Sequence, residues 1–413
     1  MKWFFSILLC ICTFIFSAAQ AQTYSLDHYL DLAKSNSPLL KDLRNQIASN
    51  QIDSLRLKAG YKPQENINSG GLYAPVVNGY GYSEAITNEH TFNGLLGVNQ
   101  AIIGKGNVNA QVLAITLQSL SLTNASKISE QDLRKAITTQ YITAYGDLQQ
   151  YKFSKQVVDL LTKEEGILKK LTQSNVYKQT DYLTFLVTLK QQELLLTQSR
   201  SVYKNDYATL NYLAGVADTT LTELDEPALR KLTPPDKSIS IYFQQYKLDS
   251  LKIINSKQLI DYSYKPKANI FADGGYNSDF MGQAYKNFGL SAGFGFVLPI
   301  YDGGQRKMQY KKLSLQEETR ENYKAFFDIQ YHQQIAQLNQ QISENETLIA
   351  QIKEQTKYTE SLIKIDTQLL QTGDVKVADL ILAINNYLTI KNMMTQTVIS
   401  RLQLINQLNY WTK

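Results

Sequence analysis

The segment FGLSAGFGFVLPI, residues 288–300, alternates large apolar side chains with very small ones, and this alternation decides the fold. The apolar set contains Phe288, Leu290, Ala292, Phe294, Phe296, Leu298 and Ile300. The small set between them contains Gly289, Ser291, Gly293 and Gly295. Because successive side chains of a strand point to opposite faces, the segment predicts a β-strand with one apolar and one narrow face. That combination is typical of a strand between lipid and a lumen.

Weaker alternation predicts three further strands, so the four lie at about residues 64–74, 91–103, 267–277 and 287–300. In the third strand, Asn269 and Asp273 occupy the polar side, and in the second, Leu96 and Val98 occupy the apolar side. Strands in the core of a β-sandwich alternate as well. A sandwich, however, needs many short strands at close spacing, whereas long helical patterns separate these four.

The chain repeats one plan twice. The sequence YKPQ at 61–64 returns as YKPK at 264–267, and TDYL at 180–183 corresponds to ADLI at 378–381. We therefore predict a first repeat at residues 22–224, a linker at 225–237 and a second repeat at 238–413, each preserving the same order of elements. That order is helix, strand, strand, long helix, turn and long helix.

Long helices follow each pair of strands. Residues 305–372 contain neither proline nor glycine, which corresponds to roughly 100 Å of helix at 1.5 Å per residue. Apolar residues recur there at steps of three and four, as in coiled-coil seams. We predict helical hairpins at about residues 105–214 and 305–411, with Gly373 in the turn of the second hairpin.

The N-terminus is predicted to be a secretory signal peptide at residues 1–21. Lys2 precedes an apolar run, and small residues ending in Ala21 provide a cleavage site. Cys10 and Cys12 are the only cysteines, so the mature chain is expected to contain no disulfide and no cysteine metal site. Neither cysteine has the sequence context of a lipid anchor.

Charge and histidine content disfavour several functions. Lys and Arg total 42 against 37 Asp and Glu, which makes nucleic acid a poor partner. The histidines, His28, His90 and His332, fall on different predicted elements. No nucleophile–base set or metal-ligand spacing is visible, so we expect no enzyme, no cofactor and no metal.

The predicted fold class is mainly α with a small β-barrel portion. Four strands in a membrane leave two unpaired edges, and unpaired backbone groups are costly in lipid. Since four strands cannot close around a lumen, copies of the chain must combine. Three copies give about 12 strands, so we predict a homotrimer with a shared barrel whose helices continue as a periplasmic tube.

Three motifs resemble the TolC-like outer-membrane efflux protein family, or outer membrane factors. YSLDHYL at 24–30 is similar to the opening helix, LPIYDGG at 298–304 to the strand-to-helix junction, and Gly373 with Asp379 to the tip turn. The resemblance covers essentially the whole mature chain. AIIGKG at 101–106 departs from the family, because it lacks the Pro and the Asp-Gly-Gly.

The resemblance implies an exit duct in the outer membrane of a Gram-negative type envelope, with a long periplasmic portion. Such a duct contacts outer-membrane lipid, docks on a periplasmic adaptor (membrane fusion) protein and serves an inner-membrane pump of the RND, ABC or a similar class. It conducts substrates passively in efflux or type I secretion. The alternative is a periplasmic coiled-coil adaptor or scaffold without a pore, which does not need a strand with an apolar face.

The resemblance also implies a gate near the hairpin tips. Asp379 stands where family members carry an acidic residue at the periplasmic entrance, and Asp181 is its counterpart in the first repeat. Three copies would form a ring that favours cations. Alternatively, these carboxylates only stabilise a helix N-terminus. Leu382 occupies the place of a second acidic residue, and Asp374 in the turn is the candidate substitute.

The strand-to-helix junction of the second repeat, which we call the second junction, is predicted to bend the chain at Pro299, Asp302, Gly303 and Gly304, since glycine permits sharp turns. Glycines before a helix also suit phosphate. The Lys-Ser/Thr pair of a phosphate-binding loop does not follow, which favours the bend.

Overall fold

A computed structural model describes residues 24–83, 90–218, 220–279 and 285–412. The predicted signal peptide, with Cys10 and Cys12, lies outside the described residues. Within these ranges, no helix combines the length and apolar character needed to cross a membrane.

The described elements are mostly helices, together with one four-stranded antiparallel sheet, and the predicted fold class is confirmed at this level. In chain order they are α1 Leu26–Asn36, α2 Pro38–Gly60, β1 Gln64–Tyr73, β2 His90–Ile102, α3 Lys105–Gln173, α4 Gln179–Ala214, α5 Ile241–Ser263, β3 Lys267–Ser278, β4 Phe288–Val297, α6 Gln305–Thr372 and α7 Val377–Tyr410.

Proline accounts for two differences from the sequence-based prediction. The last strand was predicted to reach Ile300 but ends at Val297. Pro299 offers no N–H for a ladder and restricts the residue before it. The opening helix was predicted as one element but divides at Pro38, where Ser37 accepts a hydrogen bond from the Leu40 N–H at 3.3 Å.

The chain forms two compact units, and each takes residues from both predicted repeats. The sheet unit contains Lys41–Lys127 and Ile241–Asp328. The helical unit contains the described residues of Met1–Leu40, Ile128–Ser240 and Ile329–Lys413. The compact units therefore do not coincide with the predicted repeats, because strands of both predicted repeats pair in one sheet.

In the sheet unit, the strands are ordered β1-β2-β3-β4 and every neighbouring pair is antiparallel. One row across the sheet joins Ile67, Leu96, Gly274 and Leu290. Directly paired residues of an antiparallel sheet project to the same face. The register therefore places most of the large apolar side chains of the four strands on one face, although Phe271 and Leu95 lie on the other.

Polar contacts anchor the helices of the sheet unit to one another. The buried Asn255 on α5 donates from Nδ2 to the carbonyl oxygen of Ala110 on α3 at 3.0 Å. Tyr61, just before β1, donates its hydroxyl to Gln111 Oε1 at 2.7 Å. These bonds give partners to polar groups whose burial without a partner would lower the stability of the fold.

In the helical unit, apolar clusters hold the helices together. The first cluster packs α1 against α3 and α4 around Tyr29, Tyr141 and Leu210. The second cluster joins the two hairpins near their tips, where Phe185 of the first hairpin and Leu380 of the second are both fully buried. The hairpins are therefore packed on each other and not only within themselves.

The second cluster predicts that substitutions at two nearby leucines of α7 have very different effects on the stability of the fold. Leu380 is 0% exposed, whereas Leu382, two residues on, is 60% exposed. Leu380→Ala should lower the free energy of unfolding by about 2–5 kcal/mol, because it leaves a cavity in a packed core. Leu382→Ala should change it by only about 0.5 kcal/mol.

The measurement is the midpoint of unfolding followed by circular dichroism on both variants in parallel. An unchanged midpoint for Leu380→Ala would contradict the packing of the second cluster. A large loss with Leu382→Ala would show that a partner covers this position in solution.

Candidate functional site

One face of the sheet carries an extensive exposed apolar surface, which we call the apolar face. Its members are Ile67, Leu96, Val98, Ile102, Ile270, Tyr276, Phe288, Leu290, Phe294 and Phe296. Leu290 is 84% exposed, Phe294 81% and Ile67 78%. A contiguous apolar surface of this kind normally marks contact with a membrane or a partner.

The opposite face of the sheet, which we call the polar face, carries mainly amides, one carboxylate and very small residues, with Phe271 and Leu95 among them. Asn66 pairs through Gly97 and Asp273 to Ser291, and Asn99 pairs to Phe271. The small residues of β4 leave room for larger neighbours: a side chain at Gly293 would meet the Phe271 ring. The two faces therefore suit two different environments.

The sheet has two edges, formed by β1 and β4. Each edge strand is paired on one side in this sheet, so its other side presents backbone N–H and C=O groups. Such edges template pairing with another chain. The combination of open edges with an apolar face is what a strand-sharing assembly requires.

At the second junction, the predicted bend residues form a helix cap. Gly303 and Gly304 have φ of 65° and 83°, in the left-handed region that glycine adopts without strain. Asp302 accepts hydrogen bonds from the Gly304 N–H at 2.8 Å and the Arg306 N–H at 2.7 Å. These bonds, led by that from Arg306, lower the pKa of Asp302. The carboxylate thus occupies donors that a phosphate would need, which supports the structural interpretation of this motif.

Sequence reasoning missed a polar cluster beside this junction. Arg306 on α6 donates to Asp261 Oδ1 on α5 at 2.5 Å, and the hydroxyl of Tyr310 donates to the same oxygen. The bonds from Tyr310 and then Arg306 lower the pKa of Asp261. Arg306 and Tyr310 are one helical turn apart, a spacing that puts both on one side of α6. The sequence shows that spacing, but it does not show that α5 packs beside α6 and supplies Asp261.

Both hairpin tips end their first helix in the same way. Gly373 has a φ of 80°, and the Asp374 N–H donates to the carbonyl oxygen of Leu369 at 3.0 Å. Asn175, with a φ of 58°, takes the place of Gly373 in the first hairpin. Left-handed residues at this position close the exposed end of a helix. Gly373 is thus located in the tip turn.

The three acidic candidates at the tips have different surroundings. Asp181 accepts a hydrogen bond from the Lys178 N–H at 3.1 Å, which caps the start of α4. Asp379 occupies the equivalent position at the start of α7 and is exposed. Asp374 is also exposed and lies in the turn. Asp181 has a structural role in its own turn, and Asp379 is the more available carboxylate.

Asp366 on α6 is a further acidic residue of the second tip that sequence reasoning missed. It is only 8% exposed. Burial raises its pKa, and the charge of Asp379 raises it further. A signal for this residue exists in the sequence, because Asp366 continues the apolar seam between Ile363 and Leu370 at steps of three and four. An acid in a seam is unfavourable unless it serves another purpose.

The two tips are also joined by a hydrogen bond. Tyr177, at the tip of the first hairpin, donates its hydroxyl to the carbonyl oxygen of Val375 in the second at 2.8 Å. Burial raises the pKa of Tyr177, followed by the effect of Asp374, so the hydroxyl remains a donor at neutral pH. The tip-to-tip contact therefore combines this bond with the apolar packing beneath it.

Comparison with protein-family models gave no match, and no curated protein matched the chain. Solved structures do match. VceC, an outer membrane protein from Vibrio cholerae, is 14% identical with a TM-score of 0.75 over 94% of this chain and 96% of that one. The MtrE outer membrane channel of Neisseria gonorrhoeae, in its open state, is 11% identical with a TM-score of 0.76 over 94% and 88%.

The CmeC outer membrane channel of Campylobacter jejuni is 12% identical with a TM-score of 0.74 over 94% and 86%. At these identities the likeness establishes a shared fold. The chain therefore has the fold of outer-membrane channel proteins, and the resemblance that its motifs predicted is confirmed at the level of the fold.

The buried acid predicts a pH dependence of stability. The pKa of Asp366 is raised in the folded state, so the folded chain holds its proton after the unfolded chain has lost it. Stability should then fall as pH rises from the ordinary carboxyl pKa to the raised one. Asp366→Asn should raise the unfolding midpoint at pH 7 and leave it nearly unchanged near pH 3.

Unfolding scans across this pH range on wild type and Asp366→Asn measure the effect. Asp374→Asn, an exposed acid of the same tip, is the control and should change the slope little. Parallel pH profiles for wild type and Asp366→Asn would contradict the raised pKa.

Proposed function

We propose that this chain is the outer-membrane exit duct of a tripartite efflux or type I secretion system, through which substrates pass without chemical change. The observation that carries the proposal is the two-faced sheet with open edges. Its apolar face suits the hydrocarbon of a bilayer, and its polar, glycine-rich face suits an aqueous lumen. A periplasmic adaptor or scaffold has no use for such a face.

Closure of the sheet supports a homotrimer. Lipid offers no hydrogen bonds to the edges of β1 and β4, so each edge needs another strand. Pairing β4 of one copy with β1 of the next continues the antiparallel order. Three copies supply about 12 strands, an even number in the range that encloses water. The helices then form the periplasmic part of the duct.

The proposed partners follow from this arrangement. The related folds belong to outer-membrane channels, and the motif resemblance adds a periplasmic adaptor and an inner-membrane pump of the RND, ABC or a similar class. The hairpin tips, far along the chain from the strands, provide the entrance. The proposed location is the outer membrane of a Gram-negative type envelope.

The decisive experiment compares two neighbouring residues on opposite faces of β4. Leu290→Lys places a charge on the apolar face, at a cost of about 2–4 kcal/mol if this face meets the bilayer midplane. Ser291→Lys places the same charge on the polar face, beside Asp273, and should be tolerated. The measurement is the amount of each variant in the outer-membrane fraction, together with its native mass after detergent extraction.

We expect a trimer for wild type and Ser291→Lys, and strong loss of assembled protein for Leu290→Lys. Equal behaviour of the two variants would remove the lipid-facing assignment. A soluble monomer or dimer, recovered without detergent, would instead favour the periplasmic adaptor.

Within this duct, we propose that three copies of Asp379 form an acidic ring at the periplasmic entrance. Its exposure and its position in the first turn of α7 support this role. A ring of carboxylates favours cations and hinders anions. Asp379→Asn should reduce the cation-to-anion permeability ratio in planar-bilayer recordings.

Asp374→Asn is the matched comparison, since it removes an exposed charge from the same tip. An unchanged ratio in Asp379→Asn would reject the ring. Equal reductions in both variants would assign the selectivity to the total charge of the tip instead.

A further inference from the structure

The helical unit contains a cavity of about 560 Å³. Its walls come from three helices: α3, α4 and α7. The residues that carry the argument are Asp147, Ser154, Gln192 and Asn392, with Phe153 and Leu388 on the apolar side. The volume falls within the range of small-molecule sites.

Several polar groups of this cavity lack partners. Asp147 Oδ2 and Asn392 Oδ1 are buried and accept no hydrogen bond from the described residues. Ser154 and Gln192 are each 7% exposed, and neither side chain hydrogen-bonds to another described residue. Buried polar groups in proteins are nearly always paired. Two such oxygens on one cavity, beside the weakly exposed Ser154 and Gln192, therefore indicate that an occupant of the cavity completes them.

The charge of the cavity comes from one carboxyl pair. Asp147 on α3 lies close to Asp206 on α4, and burial raises the pKa of Asp147 to about 7, followed by the effect of Asp206. Gln140 fixes the second carboxylate by donating to Asp206 Oδ1 at 3.2 Å. The side chains that α7 contributes to the cavity are amide, hydroxyl and apolar groups. No cationic side chain lines this cavity, so ionisation of Asp147 makes its charge negative.

The hydrogen-bonding groups and charge of the cavity wall determine which kind of molecule can occupy it. Both buried atoms without partners are oxygen acceptors, so the occupant must donate hydrogen bonds. The adjacent carboxyl pair favours a positive charge, since a nearby cation stabilises the ionised form of Asp147. Phe153, Leu388 and their apolar neighbours provide a surface for a short hydrocarbon chain.

We propose that this cavity binds a small amphipathic ammonium ion. Its N–H groups donate to Asp147 Oδ2 and Asn392 Oδ1, and its alkyl chain lies against the apolar wall. Ordered water is the competing occupant, because water also donates hydrogen bonds to such groups. The two differ in charge and in apolar contact, and a ligand series separates them.

Isothermal titration of the purified full chain with three matched ligands provides the test. Hexylammonium has charge, N–H donors and a chain; hexyltrimethylammonium keeps the charge and chain without donors; hexanol keeps the chain without charge. We expect hexylammonium to bind at least tenfold more tightly than either control. Equal affinities for all three would mean that apolar contact alone is measured, which would overturn the proposal.

Two variants locate the site. Asp147→Asn and Asn392→Leu should each weaken hexylammonium binding at least tenfold. Asp159→Asn, an exposed acid further along α3, should leave it unchanged. Circular dichroism confirms folding of each variant. Full affinity retained in both Asp147→Asn and Asn392→Leu would place the ligand elsewhere and reject this cavity.

A second readout is the number of protons released when the ligand binds. Below pH 7, bound cation should expel the proton of the carboxyl pair, so wild type should release close to one proton per ligand, measured from titrations in buffers of different ionisation enthalpy. Asp147→Asn should release none. Binding without proton release in wild type would contradict the role of the pair. These readouts do not depend on conduction, and failure of the duct proposal would leave them unaffected.

Discussion

The sheet that joins the two predicted repeats is the constraint on which the rest of the structure depends. β2 of the first predicted repeat pairs with β3 of the second along their length, so neither predicted repeat alone completes the sheet. Strict alternation in β4 then fixes which face is apolar. A slip of one residue would place Asn269 and Asp273 on the apolar face and the large side chains on the polar one. Register, more than strand propensity, thus separates the two environments.

The helices meet a different requirement. Their apolar faces cannot all be buried inside one hairpin, and the second apolar cluster solves this by packing the tips of both hairpins together. The hydrogen bond from the Tyr177 hydroxyl to the carbonyl oxygen of Val375 is directional, whereas apolar contacts are not. This bond therefore helps to fix how the two tips pack. Because the two tips reverse with the same left-handed geometry, at Asn175 and Gly373, they present equivalent ends to one another.

Local sequence patterns were sufficient to predict most helices and strands, but not which of these elements pack against each other. The period of two in β4 and the absence of helix breakers after residue 305 identified strand and helix, because both signals arise within the segment itself. The pairing of Asp147 with Asp206, or of Arg306 with Asp261, depends on which helices become neighbours, and periodicity holds no information on that. The end of β4 at Val297 was missed because the apolar alternation continues past the point where Pro299 interrupts hydrogen bonding.

The buried acids indicate why the helical unit is not packed for maximal stability. Asp147, Glu164 and Asp366 all have pKa values raised by burial, and all lie on the two longest helices, α3 and α6. A seam of leucine at these positions would bind the helices more firmly, since each buried carboxyl opposes close packing when it ionises. Helices held less firmly rearrange at lower cost. The proposed entrance benefits from this, whereas the described sheet, which must keep its register, contains only Glu65 on β1 and Asp273 on β3 as acids, and neither is buried.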